Sequence, residues 1–205
     1  MIAIIDYGVG NLRSVEKAFE AVGHPAVVTS DADVVRAASH VVLPGVGAFG
    51  AAVDTLRFTG LEPVALDAAR SGRPFLGICV GMQMLFDASE EMGEHRGLGL
   101  IPGRVVRFDP GDSGVKVPQI GWNALHFRGD SPLMRGLEDG AMAYFVHSYK
   151  CVPDDPSSAS AVTDFCGEYV SAVTVGNVHG VQFHPEKSSD TGLRILENFA
   201  RCGGD

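Results

Sequence analysis

The feature that most constrains this chain is a cysteine between two glycines at the end of an apolar run. In the stretch FLGICVGMQ, residues 75–83, Gly77 and Gly81 stand two residues on either side of Cys79. This is the thiol counterpart of the G-x-S-x-G elbow, a sharp strand-to-helix turn that exposes a nucleophile above a parallel sheet. A Cβ at either glycine would crowd such a turn. The pattern therefore predicts a strand, a nucleophilic Cys79, and a helix from Val80 whose N-terminus favours the thiolate.

A cysteine in an apolar run is usually an inert buried side chain, so catalysis requires a base elsewhere. The stretch GVQFHPE, residues 180–186, supplies one. Because a proline restricts the residue before it to an extended conformation, His184 and Glu186 are expected on one side of the chain. The carboxylate would then orient an imidazole that takes the thiol proton. The alternatives are an exposed strand end or a pair of metal ligands, although no third ligand with suitable spacing is evident.

Strand-like and helix-like segments alternate in the first half of the chain. Nearly continuous apolar runs predict buried strands at 2–5, 25–29, 40–43 and 74–78. Apolar stripes predict helices at 11–22, with Asn11 as the N-cap, and at 61–70. The alternation predicts an α/β fold with a mostly parallel sheet and helices on both faces. Ligands bind beyond the carboxyl ends of such strands, where we expect segments 6–10 and 44–50 and Cys79.

Short β-like runs dominate the chain from Gly103 onward. They predict strands at 104–108, 122–127, 143–149, 169–175 and 177–183, with a hairpin turn at 175–177. Polar composition predicts loops at 109–114 and 153–160, and a final apolar stripe predicts a helix at 188–201. We expect an antiparallel extension of the first half, so residues 1–205 are predicted to form one domain.

Two glycine-rich loops follow buried strands. PGVGAFG, residues 44–50, is either a simple turn or a loop whose N–H groups approach a ligand. In the second case the N–H groups of Val46, Gly47 and Val80 would form an oxyanion hole. Residues 8–10, GVG, do not match the dinucleotide-binding fingerprint, because Arg13 stands where its third glycine would be. That loop is predicted to be a tight turn at the edge of the sheet.

Composition limits the classes of partner and compartment. The formal net charge is −9 and the acidic and basic residues are interspersed, which argues against nucleic acid and anionic membranes as partners. The four cysteines form no CxxC pair, which is typical of a reducing cytoplasm. The start of the sequence lacks the basic region of a signal peptide, and no apolar run is long enough to cross a membrane. A cytoplasmic protein is expected.

The Cys79 and His-Pro-Glu motifs together resemble those of the class I glutamine amidotransferases. The resemblance implies a three-layer α/β fold without a cofactor or metal. It also implies that Cys79 attacks the carboxamide carbon of glutamine, that His184 protonates the departing ammonia, and that Glu186 completes the triad. The resemblance assigns glutamine binding to a further set of residues, which are Gly45, Gly81, Gln83, His147, Ser148 and Tyr149.

Further stretches narrow the resemblance to one branch of this family. They are DYGVGNL from residue 6, PGVGAF from 44, PQIGWN from 118, FVHSY from 145 and HPEKS from 184. In that branch a glutaminase subunit delivers ammonia to a (β/α)8-barrel cyclase subunit in histidine biosynthesis. The resemblance therefore implies a heterodimer, and the candidate docking residues are Asn11, Trp122, Asn123 and Lys187.

Three other interpretations compete with this one. The glutaminase subunit of pyridoxal-phosphate synthase shares the triad and a barrel partner, but residues 6–12 and Trp122 argue against it. A stand-alone cysteine hydrolase would turn over without a partner. A non-catalytic scaffold of the same fold would tolerate Cys79→Ser.

Overall fold

Strands and helices alternate along the first part of the chain. The computed structural model describes residues 1–111 and 114–203. The elements up to the elbow are β1 (Ile2–Ile5), α1 (Leu12–Ala21), β2 (Ala26–Thr29), α2 (Ala32–Ala37), β3 (His40–Gly45), α3 (Phe49–Phe58), α4 (Glu62–Arg70), β4 (Phe75–Cys79) and α5 (Val80–Met84).

Strands dominate the remainder of the chain. They are β5 (Phe86–Ser89), β6 (His95–Arg96), β7 (Ile101–Arg107), β8 (Gln119–Phe127), β9 (Ala141–His147), β10 (Tyr149–Pro153), β11 (Ala159–Asp164), β12 (Glu168–Val175) and β13 (Val178–Val181). Helix α6 (Ser189–Ala200) follows. Short 3-10 turns lie at Pro132–Met134, Pro156–Ser158 and Pro185–Lys187.

Five parallel strands form one half of the sheet, in the order β2-β1-β3-β4-β13 with β2 at the edge. Strands β1, β4 and β13 are buried along their whole length. The apolar character of β1 and β4 is typical of such strands, whereas β13 also buries His179. The sheet continues through β12, β10 and β7, and the pairs β13–β12, β12–β10 and β10–β7 are antiparallel. The predicted fold, a parallel α/β sheet with an antiparallel extension, is confirmed.

Apolar stripes attach the first and last helices to this sheet. Val15 and Phe19 of α1 and Leu196 and Phe199 of α6 are buried, and the rings of Phe19 and Phe199 lie 6.2 Å apart. Helix α1 also contacts the turn Pro185–Lys187 that precedes α6, and the candidate base, His184, lies directly before that turn. None of the helices in the described ranges has the length and apolar character that crossing a bilayer requires.

Several elements differ from the sequence predictions. The strand predicted at 143–149 is divided at Ser148 between β9 and β10, and β5, β6, β11, α2 and α3 were not predicted. The loop predicted at 44–50 is shorter, because β3 extends to Gly45 and α3 begins at Phe49. The loop predicted at 153–160 contains a 3-10 turn and the first residues of β11. Residues 112 and 113 of the loop predicted at 109–114 lie outside the described ranges.

Candidate active site

The predicted elbow is present at the junction of β4 and α5. Cys79 has φ +56° and ψ −113°, a conformation that is unusual for any residue other than glycine. Helix α5 begins at the next residue, Val80. The backbone thus reverses sharply at the cysteine, as it does at activated nucleophiles on strand-to-helix turns.

Close backbone packing maintains this turn. A Cβ on Gly77 would lie 2.6 Å from the carbonyl oxygen of Gly81, and a Cβ on Gly81 would overlap the carbonyl oxygen of Leu43 in β3. A Cβ on Gly45 would lie 2.7 Å from the backbone nitrogen of Gly81. Gly45 and Gly81 are both buried in this packing, which favours a structural role for them, and their assignment to glutamine binding stays a prediction.

The candidate base and its carboxylate form the predicted pair. His184 Nδ1 lies 2.9 Å from Glu186 Oε1, and the two side chains are 4% and 0% exposed. His184 is extended, as predicted, with φ −97° and ψ +99°, but the residues that follow it are not. The ladder of β13 ends at Val181, and Pro185 opens a 3-10 turn, for which its fixed φ is suited.

The electrostatics of the pair favour a protonated imidazole. Burial lowers the pKa of His184, but hydrogen bonds and negative charge from Cys79 and Glu186 outweigh this effect and raise the pKa to about 10. Burial likewise raises the pKa of Glu186, and the hydrogen bond and charge of His184 reverse that shift and lower it. Because Nδ1 is bound to the carboxylate, Nε2 is the ring nitrogen available to Cys79.

Gln182, a buried glutamine next to the thiol, was not identified from the sequence. Gln182 Nε2 lies 3.8 Å from Cys79 Sγ, and its Oε1 accepts a 3.1 Å hydrogen bond from Gln83 Nε2. The second contact of Gln83 is the backbone oxygen of Tyr149 at 3.3 Å. The signal was available, because Gln182 alternates with buried Val181 and is two residues before His184.

A cavity of about 390 Å³ opens beside the thiol. It is lined by Cys79 and His184 together with Val46, Gly47, Val80, Gln83, Glu91, Pro118, Val146, His147, Ser148, Tyr149 and Lys187. The structure thus brings together the three predicted oxyanion residues and four of the six predicted glutamine-binding residues. A larger cavity of about 730 Å³ lies between β10, β11 and β12 and contains none of the predicted site residues.

Glu91 is a second cavity residue that sequence reasoning missed. Its Oε2 accepts a 2.7 Å hydrogen bond from the backbone nitrogen of Phe49, the first residue of α3. A carboxylate is favourable there because the free N–H groups of a helix start attract negative charge. Nothing in the local pattern of residues 89–92 marks this acid, since its neighbours in space come from a distant segment.

His147 is neutral and engaged within the protein. Its Nδ1 lies 2.7 Å from the backbone oxygen of Tyr149, and its Nε2 lies 3.2 Å from the hydroxyl of Tyr169. Burial lowers its pKa to about 4, although the Tyr149 hydrogen bond opposes the shift. A ligand in the cavity would therefore meet the backbone of this strand rather than a free imidazole.

The candidate docking residues occupy different environments. Trp122 is 46% exposed and packs edge-on to Tyr144, and Lys187 is exposed at the cavity. Asn123 accepts a 2.9 Å hydrogen bond from Gln119. Asn11 occupies the N-cap position of α1, but its side chain caps no backbone group and instead donates to Glu186. The predicted capping role of Asn11 is therefore wrong, whereas the docking role of all four residues stays a prediction.

The chain is similar to known proteins over nearly its whole length. A family model described as glutamine amidotransferase class-I matches residues 3–202. A protein of Syntrophotalea carbinolica named imidazole glycerol phosphate synthase subunit HisH is 53% identical over 204 residues, covering 97% of this chain and 98% of the relative. The protein of the same name from Aquifex aeolicus is 51% identical over 199 residues, covering 97% and 95%.

Solved structures resemble the chain in fold. A crystal structure described as a glutamine amidotransferase superposes with a TM-score of 0.74 at 18% identity, covering 98% of this chain and 99% of the other. A structure of PurLQS from Thermotoga maritima superposes with a TM-score of 0.71 at 19% identity, covering 97% of this chain and 96% of the matched one.

Proposed function

The chain belongs to the class I glutamine amidotransferase family, and from this premise we propose that Cys79, His184 and Glu186 form its catalytic triad. The enzyme is the glutaminase subunit of an imidazole glycerol phosphate synthase and acts in histidine biosynthesis. The observation that carries the site assignment is the convergence of three separate features. A thiol on an elbow and an imidazole with raised pKa meet at one cavity, and a buried carboxylate binds that imidazole.

The first half of the reaction breaks the carboxamide. The Cys79 thiolate attacks the carbonyl carbon of the glutamine side chain and forms a tetrahedral oxyanion. His184 then gives its proton to the nitrogen, the C–N bond breaks, and ammonia leaves. The products of this half are a glutamyl thioester on Cys79 and a neutral imidazole that remains bound to Glu186.

The second half regenerates the enzyme. Neutral His184 takes a proton from water, and the hydroxide attacks the thioester carbonyl carbon. The C–S bond breaks, the new carboxyl group loses its proton to solvent as glutamate is released, and the thiolate and imidazolium are restored as a pair. Glu186 stabilises the imidazolium and orients its ring, and it does not accept the proton itself.

The cavity offers groups that suit both ends of glutamine. The N–H groups of Val46, Gly47 and Val80 are the candidate oxyanion donors, each worth roughly 3–4 kcal/mol in comparable sites. The Glu91 carboxylate suits the substrate ammonium group because opposite charges attract strongly in a partly enclosed cavity. The Gln83 amide and the backbone of residues 147–149 supply the polar contacts expected for the rest of the substrate.

An exposed apolar face supports a partner at the cavity mouth. Strands β8 and β9 pair antiparallel, and the register aligns Ile120 with Val146 and Trp122 with Tyr144. Ile120 is 64% exposed, and Trp122, Met142 and Val146 are also exposed. Val146 belongs to the cavity lining as well. We assign this face, with Asn11, Asn123 and Lys187, to the (β/α)8-barrel cyclase subunit, because ammonia must pass directly to the partner before bulk water protonates it.

The test is glutamate release from glutamine by the purified chain, alone and with the cyclase and its nucleotide ligand. We expect little activity alone and a large increase in the complex. High activity that the cyclase does not change would instead indicate an independent amidohydrolase. Absence of glutamate in both cases would overturn the assigned substrate.

A further inference from the structure

The side-chain amide of Asn11 contacts the triad from outside the active cavity. Asn11 Nδ2 donates a 3.0 Å hydrogen bond to Glu186 Oε1, the same oxygen that binds His184 Nδ1. Asn11 is 175 residues away in sequence, and it is not among the residues that line the cavity. The amide therefore acts on the carboxylate without access to a substrate bound beside Cys79.

A serine binds the other end of this amide. Ser14 Oγ donates a 2.9 Å hydrogen bond to Asn11 Oδ1. An ionised carboxylate can only accept, so Glu186 selects Nδ2 as the end of the amide that faces it, whereas a hydroxyl can donate or accept. Ser14 adds the contact that holds the amide in this orientation.

Glu186 depends on this donor because its side chain has few others. The side chain is fully buried, and its Oε2 has no hydrogen-bond partner from another described residue. Buried carboxylates are costly unless donors satisfy them, and a donor to the charged form lowers the pKa. The hydrogen bond from Asn11 contributes to the lowered pKa of Glu186. The charged groups that face Glu186 are His184 beside it and Arg13 and Lys17 of α1, which line the same surface depression.

We propose that Asn11 is a positioning residue of the triad, which holds Glu186 in place for His184, and that Ser14 holds Asn11 in its orientation. This proposal rests on the proposed glutaminase function. It adds two residues to the triad, Asn11 behind Glu186 and Ser14 behind Asn11. It gives Asn11 a task that is independent of docking: the carboxylate keeps its charge and its orientation, and so the imidazolium stays paired with the thiolate.

The kinetic test compares Asn11→Ala, Asn11→Asp and Ser14→Ala in the complex with the cyclase and its nucleotide ligand. For Asn11→Ala we expect kcat to fall about 10-fold to 100-fold, the range for one lost hydrogen bond to a charged group, with KM nearly unchanged. Asn11→Asp should lose more at neutral pH, because two adjacent carboxylates repel, and should recover partly in mild acid, where the pair shares a proton. Ser14→Ala should show a smaller loss of kcat.

Docking and positioning give different results in this experiment. If Asn11 acts only in docking, a saturating concentration of cyclase restores full kcat to Asn11→Ala, and the proposal is wrong. The control is Arg36→Ala, since Arg36 lies on α2, is 55% exposed and pairs only with Asp33 at 2.8 Å among the described ion pairs. The control is expected to leave the pH profile of kcat/KM unchanged.

A second measurement separates this proposal from the glutaminase assignment. The rate of Cys79 alkylation by iodoacetamide in the isolated chain, followed by peptide mass spectrometry, reports the thiolate whatever the substrate is. Without the Asn11 donor, Glu186 is held less firmly against His184 and stabilises the imidazolium less. The midpoint of the pH dependence of the alkylation rate should therefore rise by about half a pH unit or more. An unchanged midpoint in folded Asn11→Ala and Ser14→Ala would refute the positioning role even if the complex hydrolyses glutamine.

Discussion

The two sides of the active cavity are fixed by different kinds of contact. On the nucleophile side, Gly77 and Gly81 allow backbone atoms of β4, α5 and β3 to pack so closely that no side chain fits. On the base side, His184 is held by hydrogen bonds. Its backbone nitrogen donates to the carbonyl oxygen of Tyr144, and its carbonyl oxygen accepts from Ser188 Oγ.

The difference indicates how each side should respond to change. Closely packed backbone leaves no room for a side chain, so one added methyl group must displace a strand or a helix. A hydrogen-bonded segment can lose one contact and keep the others, so its geometry should degrade in steps. The nucleophile side is therefore expected to be brittle, in that a single substitution disrupts its packing. The base side is expected to give a graded response, in that each lost hydrogen bond lowers stability and activity by a limited amount.

The largest expected effect comes from removing the nucleophile. Cys79→Ala should lower glutamine-dependent synthesis by the complex at least about 10⁴-fold, because no thioester can form. Synthesis from added ammonia should continue, since the cyclase is untouched. The assay measures product formation with either nitrogen source, and Cys166→Ala is the control. Loss of both activities would contradict the ammonia-delivery role.

The graded response should be visible within the triad. His184→Ala removes the proton carrier and should reduce glutaminase kcat about 10³-fold or more, whereas Glu186→Gln keeps a hydrogen-bonding partner and should cost less. Steady-state kinetics in the complex provide the ranking. A greater loss for Glu186→Gln than for His184→Ala would be incompatible with the assigned roles.

The brittle side can be tested by adding a single methyl group. Gly81→Ala should lower the free energy of unfolding by at least about 3 kcal/mol, because the new Cβ overlaps the carbonyl oxygen of Leu43. The control is Gly60→Ala, a position with φ +75° and open space, where only backbone strain of about 1–2 kcal/mol is expected. Urea denaturation measures both values, and equal losses would refute a steric origin.

Two buried histidines should make stability depend on pH. Burial lowers the pKa of His179 in β13 and of His147 in β9 to about 4. Between pH 6.5 and 4 each imidazole is protonated in the unfolded chain and neutral in the folded chain. The free energy of unfolding therefore falls by about 1.4 kcal/mol for each group and each pH unit as the pH decreases.

His179→Gln removes one of these groups. It should therefore reduce the loss of unfolding free energy between pH 6.5 and pH 5 by about 2 kcal/mol, as measured by urea denaturation at both pH values. The same loss in the variant and in the unmodified chain would show that His179 is already protonated in the folded state at pH 5.

The smallest effect is expected where one of several contacts is lost. Ser188→Ala removes the hydroxyl that donates to the His184 carbonyl at 2.7 Å and accepts from the Tyr144 backbone nitrogen at 2.9 Å. We expect a loss of about 1–2 kcal/mol in unfolding free energy and a fall in kcat of about 10-fold. Retention of both values would show that the backbone bond to Tyr144 alone positions the base.

Local patterns were sufficient for the elbow and the parallel strands. The glycines around Cys79 and the apolar run of β1 express steric and burial requirements of consecutive residues, and both predictions are confirmed. The division at Ser148 was missed because the residues on both sides remain strand-like, and only pairing with different neighbours separates β9 from β10.

The sequence by itself determined the class of fold, through the alternation of apolar runs and stripes, and it identified the candidate nucleophile and base, because each motif lies within one short segment. The tertiary structure decided which distant groups serve them. Gln182 reaches Cys79, Glu91 reaches the start of α3, and Asn11 reaches Glu186 across 175 positions. The physical reason is that a hydrogen bond forms only when two atoms lie about 3 Å apart in space. The separation of two residues in sequence predicts such a distance only when both belong to the same turn or strand.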